Sequence, residues 1–221
     1  MKALFLTLSI LLSFFRIAAQ QDTTSVLDTP VVFRPFTQIG VLYGQSWNDV
    51  SFSPRIAQGV YVGQRIAAVF RYTGQANLGI QVELAYDKRG WQETDTTTDA
   101  AYVRTVDYAE LAFFSHLSLG KRSFRPFLLL GSFIGTPLSQ TETIPANWPL
   151  NRSYYNSPLP NRWQYGLSGG LGLEVVLGGI SLQVDGRYRT ALGGYFAAGE
   201  SSFTFSNGRG FAAQATIFVK L

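Results

Sequence analysis

Between Leu78 and Lys88, apolar and polar residues alternate strictly. Leu78, Ile80, Val82, Leu84 and Tyr86 fall on one side; Gly79, Gln81, Glu83, Ala85 and Asp87 fall on the other. A period of two residues marks a β-strand with unlike faces. Similar runs predict strands over Phe36–Ser46, Gln58–Tyr72, Thr105–Leu119, Trp163–Leu177, Ile180–Arg189 and Phe211–Leu221. Two positions break the pattern: Gln64 on an otherwise apolar face, and Phe114 on an otherwise polar one. A further strand over Phe124–Gly135 is apolar on both faces, around Phe127 to Leu130, and its register stays open.

The connections between these eight strands sort by parity. Long, polar, turn-rich segments follow the first, third, fifth and seventh strands: Trp47–Ala57, Arg89–Arg104, Thr136–Arg162 and Thr190–Gly210. Short turns follow the second, fourth and sixth: Thr73–Asn77, Gly120–Ser123 and Gly178–Gly179. A β-sandwich has no reason to sort its loops in this way. A transmembrane barrel does, with short periplasmic turns and long outer loops. The predicted fold is all-β: an eight-stranded antiparallel up-and-down transmembrane barrel, with lipid against the apolar faces and a side-chain-filled interior.

The N-terminal residues fit export. Lys2 precedes the apolar run Ala3–Phe15, which is too short to span a bilayer as a helix, and Ile17-Ala-Ala-Gln20 offers small residues for cleavage. Residues 1–19 read as a signal peptide cut after Ala19, with Arg16 an unusual feature at its end. Residues 20–35 read as a flexible periplasmic leader, and 36–221 as the barrel domain. Without Lys2 and Arg16, 16 basic residues stand against 14 acidic ones, too small an excess to imply nucleic acid. The chain has no cysteine, hence no disulfides or thiol chemistry.

Two sets of residues follow from the barrel reading. The polar faces place Glu83, Asp87, Glu110, Glu174 and Asp185 inside with Arg65, Arg71, Arg187, Arg189 and Lys220. Buried charges must pair, so equal numbers of each sign predict a structural ion-pair network that plugs the lumen. Tyr43, Tyr86 and Tyr188 end outward-running strands, and Trp163, Tyr165 and Phe211 begin inward-running ones. All six are assigned to an aromatic girdle at the outer rim.

Several segments, taken in order, resemble the PorT-like outer-membrane β-barrel family of Bacteroidetes-type bacteria. They are Leu78-Gly-Ile-Gln-Val-Glu-Leu-Ala-Tyr-Asp-Lys-Arg-Gly90, Tyr108-Ala-Glu-Leu-Ala-Phe113, Arg125-Pro-Phe127 with Gly131, Gly166–Glu174 and Asp185-Gly-Arg-Tyr188. Ala112 stands where that family usually has proline, and Leu221 replaces a terminal aromatic common in the outer membrane. The resemblance implies an outer-membrane barrel and, through one namesake of the family, a link to protein secretion.

Candidate chemistry is sparse. His116 is the only histidine; Ser115 points to the opposite face, and the register puts His116 near the periplasmic end rather than the outer rim, so no triad forms. With no cysteine either, a transition-metal site is not expected, and no cofactor is expected. Gly166–Gly172 precedes no helix, so its glycines read as space for bulky interior neighbours across the barrel rather than a phosphate loop. Ala146-Asn-Trp-Pro149 and Asn151-Arg-Ser-Tyr-Tyr155 suit protein or glycan contact and equally suit a solvated loop. The expected partners are outer-membrane lipid and envelope or secretion-machinery proteins. Three roles remain open: a structural or partner-binding barrel, a narrow channel or small-solute transporter, and a rim-located lipid-modifying enzyme.

Overall fold

The computed structural model describes residues 33–94, 100–120, 123–146, 148–149, 154–156, 159–196 and 203–221. Residues 1–32, read above as a signal peptide and most of a leader, lie outside the described residues. Eight long strands are present: β1 Phe36–Ser53, β3 Tyr61–Gln75, β4 Leu78–Thr94, β5 Ala101–Ser118, β6 Phe124–Thr143, β7 Gln164–Leu177, β8 Ile180–Gly194 and β9 Phe205–Lys220. A two-residue strand, β2 (Gln58–Gly59), pairs with Glu93 and Gln92 at the far end of β4. The long strands run antiparallel in the order β4-β3-β1-β9-β8-β7-β6-β5, and β5 pairs back onto β4. That last pairing closes the ring and removes the exposed edges an open sheet would carry.

The apolar faces point outward. Val41, Leu84, Leu171 and Val184 are each more than 60% exposed, while Gln81 and Glu83 are fully buried inside. Surface of this kind would be a severe liability in water and is what lipid requires. The open register of the fifth strand is resolved: Phe124, Leu130 and Ile134 face out, and Phe127, Leu129 and Phe133 face in. Phe114 keeps the alternation as an apolar interior residue under the Arg187 guanidinium, 4.7 Å from its ring centre.

Gln64 also has a reason. It lies in register with Gln45 and Lys88; Lys88 pairs with Asp107, and Asp107 with Ser139. One step toward the membrane lie Tyr43, Ile66, Tyr86 and Ala109. A polar row therefore crosses the outward face of five strands, and beyond it Trp47 and Val62 are the last exposed apolar residues of β1 and β3. Gln64 belongs to that polar row.

The strands run well past the predicted ends, and the segments Trp47–Ser53, Arg89–Thr94, Ala101–Arg104, Thr136–Thr143, Thr190–Gly194 and Phe205–Gly210 are strand rather than loop. The physical reason is an exchange of faces. Beyond Trp47, Asp49, Ser51 and Ser53 point out while Val50 and Phe52 are buried inside. The period of two persists, but water lies outside and the apolar residues turn inward. A reading keyed to apolar-out strands takes such a stretch for a solvated loop.

The interior carries three apolar clusters as well as charge. Val50, Phe52, Trp91, Tyr102, Val106, Tyr108, Trp148, Tyr154, Tyr155, Leu159, Tyr195, Phe196 and Phe203 form an aromatic core at the outer end. Lower down, Phe114, Phe127, Leu129 and Phe133 pack on one wall, and Leu42, Val69 and Phe218 on another. The β7 glycines make room for them. An added Cβ at Gly172 would meet the Val184 carbonyl and the Phe127 ring; at Gly166 it would meet the Thr190 carbonyl and the Phe133 ring. The bulky neighbours lie on the adjoining strands β6 and β8, not across the barrel as the sequence suggests, because a Cβ on β7 would first meet the side chains in register beside it.

Candidate functional site

Among the described residues, chemistry-bearing groups gather in the lumen, because every second residue of eight strands points there. Arg65 reaches three carboxylates: Glu83 at 3.1 Å, Asp87 at 2.9 Å and Glu110 at 2.6 Å. Arg187 bridges Glu83 at 2.7 Å and Asp185 at 2.6 Å. Arg189 pairs with Asp87 at 2.6 Å and also with Glu110. Arg71 donates to Glu174 at 2.7 Å, and its other donors meet the side-chain oxygens of Gln81, Gln183 and Gln38. Gln81 donates to Glu83 at 2.8 Å and Gln183 to Asp185 at 3.0 Å, so the amides tie the two charge clusters together.

The pairs cross the lumen. In the ring of eight long strands, β4 and β8 lie opposite one another, as do β3 and β7. Arg187–Glu83 and Arg189–Asp87 join β8 to β4, and Arg71–Glu174 joins β3 to β7. Guanidinium forks suit this task because each can hold two carboxylates in fixed geometry. Such a lattice leaves no charged group in it without a counter-charge, which is the condition for keeping ions in a low-dielectric interior.

Nine of the ten residues named for the interior network from sequence take part in these ion pairs. Lys220 does not. It is exposed at the lower mouth, its ammonium 4.8 Å from the centre of the Phe36 ring, because its strand ends there. Arg89 is the member the sequence reading passed over: it pairs with Asp87 at 2.9 Å and with Glu110, and donates to Gln164 at 2.6 Å. It shares the parity of Glu83 and Asp87, so extending the strand by one more step would have found it. The buried glutamines 38, 81, 164, 183 and 214 carry no charge to flag them and were equally silent.

The six residues assigned to the girdle are all exposed on the outer surface. Trp47, read as part of a loop, joins them: its ring lies 6.3 Å from that of Phe211. Just beyond, Arg209 and Asp49 form an exposed ion pair at 2.6 Å.

The outer loop aromatics are elsewhere than expected. Trp148, Tyr154 and Tyr155 are buried in the outer core instead of lining an open contact surface. Tyr154 and Tyr155 donate to Glu93 at 2.6 and 2.9 Å, and Trp91 donates to the same carboxylate at 3.0 Å. Burial, with Glu93 beside it, raises the Tyr155 phenol above its ordinary pKa and keeps it a donor. The buried carboxylate thus acts as an acceptor that gathers three strand and loop aromatics. Asn147 and residues 151–153 lie outside the described residues.

His116 stacks on Phe127 at 5.0 Å, beside the turn that precedes β4. Ser115 faces outward on the other side of the strand. Among the described residues, no cluster of histidine and carboxylate side chains could hold a metal ion.

A family model described as outer membrane protein beta-barrel domain matches residues 19–197. Among solved structures, the outer membrane protein OprG from Pseudomonas aeruginosa aligns over 85% of this chain and 95% of its own, at 14% identity and a TM-score of 0.54. Ail, the attachment invasion locus protein of Yersinia pestis, aligns over 84% and 99%, at 13% identity and a TM-score of 0.46. Outer Membrane Protein W of E. coli aligns over 81% and 97%, at 15% identity and a TM-score of 0.38. No curated protein matches the sequence.

Proposed function

The chain belongs to the outer membrane protein beta-barrel domain family and resides in the outer membrane, and from that premise we propose that it is a closed barrel acting by contact with partners. The observation that carries this reading is the set of ion pairs spanning the lumen, Arg187–Glu83 and Arg189–Asp87 among them, beneath the aromatic core around Trp91. An ion entering from outside would first have to part a packed aromatic layer, then break guanidinium–carboxylate pairs that leave charges unpaired when separated. The surfaces free to work are then the outer rim beyond the polar row, the lipid-facing wall and the periplasmic turns.

The ordered resemblance of Leu78–Gly90, Tyr108–Phe113 and Asp185–Tyr188 to the PorT-like family supports placing those contacts alongside protein secretion. Envelope proteins are the partners this role requires.

The test is conductance. Purified protein, shown to be folded by heat-modifiable migration, is expected to give no discrete single-channel steps in planar bilayers. Reproducible steps that persist at saturating protein purity would replace the contact role with a narrow channel.

A further inference from the structure

The lipid-facing wall is almost wholly apolar, and its exceptions fall together. Take the outward positions between the girdle, with Ala109 and Thr136 in its row, and the last two residues at each lower strand end. Among the described residues they are all apolar or glycine except Ser115 on β5 and Ser132 on β6. Both serines are exposed, and no hydrogen bond joins either hydroxyl to another described residue. Acyl chains offer no donor or acceptor, so a hydroxyl held among them is left without a partner.

The two serines share a hollow of about 640 Å³ with Leu130, Leu167, Gly169 and Tyr188. The strand register explains its shape. Leu130 lies between Ser115 and Gly169 on the neighbouring strands, and Ser132 is the next outward residue of its own strand. Leu130 is 57% exposed. One large side chain therefore rises from a floor of small ones, a knob beside its own holes. A second hollow of about 680 Å³ lies elsewhere on the wall, lined by Ile39, Val41, Ala68, Leu84 and Ile217 among others, with no polar side chain. Lipid fills that one and leaves nothing unmet. The hydroxyls, not the hollow itself, set the first apart.

We propose that this patch of β5, β6 and β7 is where a second copy of the chain docks within the membrane. A serine hydroxyl both donates and accepts, so it pairs with the same group on an identical chain. A two-fold contact needs a surface that fits itself. Here Leu130 of each copy enters beside Gly169 of the other, and the small residues let two convex walls approach until the hydroxyls meet, as small residues and serines do between membrane segments generally. An acyl chain would fill the same hollow but leave both hydroxyls without partners. The contact rests on the wall facing lipid and not on the closed lumen, and conductance plays no part in its test.

The native chain has no cysteine, so a single cysteine reports on one place. The full mature chain is folded into lipid vesicles at high dilution, carrying Ser132→Cys or, for contrast, Ala68→Cys in the apolar hollow. Oxidation is expected to join most Ser132→Cys chains into dimers and few Ala68→Cys chains. Sedimentation equilibrium in micelles is expected to give a dimer for the native chain. Ser115→Val/Ser132→Val is expected to weaken that dimer about tenfold, as loss of two intramembrane hydrogen bonds would. Gly169→Leu is expected to abolish it by filling the hole. Within one chain an added Cβ there first meets the tip of the Leu130 side chain, at 3.1 Å, which is free to turn toward lipid. If either variant loses heat-modifiable migration, the other carries the test. A monomeric native chain, the result that bound lipid alone would give, would overturn the proposal. So would equal cross-linking at the two cysteines, or a dimer unchanged in the folded variants. Cross-linking of Ser132→Cys to a different protein in native outer membranes, with the pure chain monomeric, would overturn self-association and give the patch to that protein.

Discussion

Arg65→Met is expected to cost about 3–5 kcal/mol of barrel stability, measured by urea unfolding from lipid vesicles. Arg65 is buried and sits 3.1, 2.9 and 2.6 Å from Glu83, Asp87 and Glu110. Removing it strands negative charge in a place where water cannot reach to solvate it. The double variant Arg65→Met/Glu83→Met should be less damaging than the single one, because it removes an anion along with the cation. Arg209→Met gives the contrast. It breaks an ion pair of the same length, to Asp49 at 2.6 Å, but in the open. Its cost is expected to stay under about 1 kcal/mol. Equal, small costs at both positions would mean that the lumen is wet and the network a surface feature turned inward.

Trp91→Ala is expected to cost about 3–5 kcal/mol, the range for truncating a fully buried aromatic. Trp91 has no exposed surface; its ring lies 5.7 Å from Phe52, 5.2 Å from Tyr195 and 6.3 Å from Phe196, and its indole N–H donates to Glu93. The indole holds strands β1 and β4 against the outer connections, so its loss should also speed proteolysis of the extracellular part while the membrane-embedded part stays folded. The comparison is Trp47→Ala. Trp47 is 39% exposed at the girdle, and its truncation is expected to cost about 1 kcal/mol. Were Trp91→Ala no worse than Trp47→Ala, the outer core would be a loose cluster rather than a packed lid.

The contrast between these two tryptophans shows what the sequence makes legible. Where lipid is the solvent, the outward residues of β4 are apolar from Leu78 through Ile80 and Leu84 to Tyr86, and the alternation can be read directly. The ring closure follows from strand number and loop parity. The charged interior is equally plain, because an arginine or glutamate on the inward parity has few other reasons to be there. Legibility ends just past the row of Gln45, Gln64, Lys88 and Asp107, at the last exposed apolar residues, Trp47 and Val62. Beyond it the solvent outside is water, and the two faces exchange character while the period stays at two. Val50, Phe52 and Trp91 then look like stray apolar residues in a polar loop. Arg89 is lost with them, since the strand carrying it had been ended one residue early. Trp148, Tyr154 and Tyr155 look like contact residues because nothing local reveals that a distant Glu93 draws them inward. Leu42 and Phe218 are silent for another reason: an apolar side chain inside a polar lumen contradicts the simple two-face rule, and only the ring of neighbours shows the gap it fills.

The most direct test uses the absence of cysteine in the native chain. A nitroxide placed singly at Ile80, Leu84 and Gln92 samples one outward face of β4 along its length. In lipid bilayers, collisions with dissolved oxygen should dominate at Ile80 and Leu84, and collisions with a water-soluble nickel complex should dominate at Gln92. Nickel collisions as frequent at Ile80 and Leu84 as at Gln92, or labels at those two sites reached by neither reagent, would contradict a wall facing lipid.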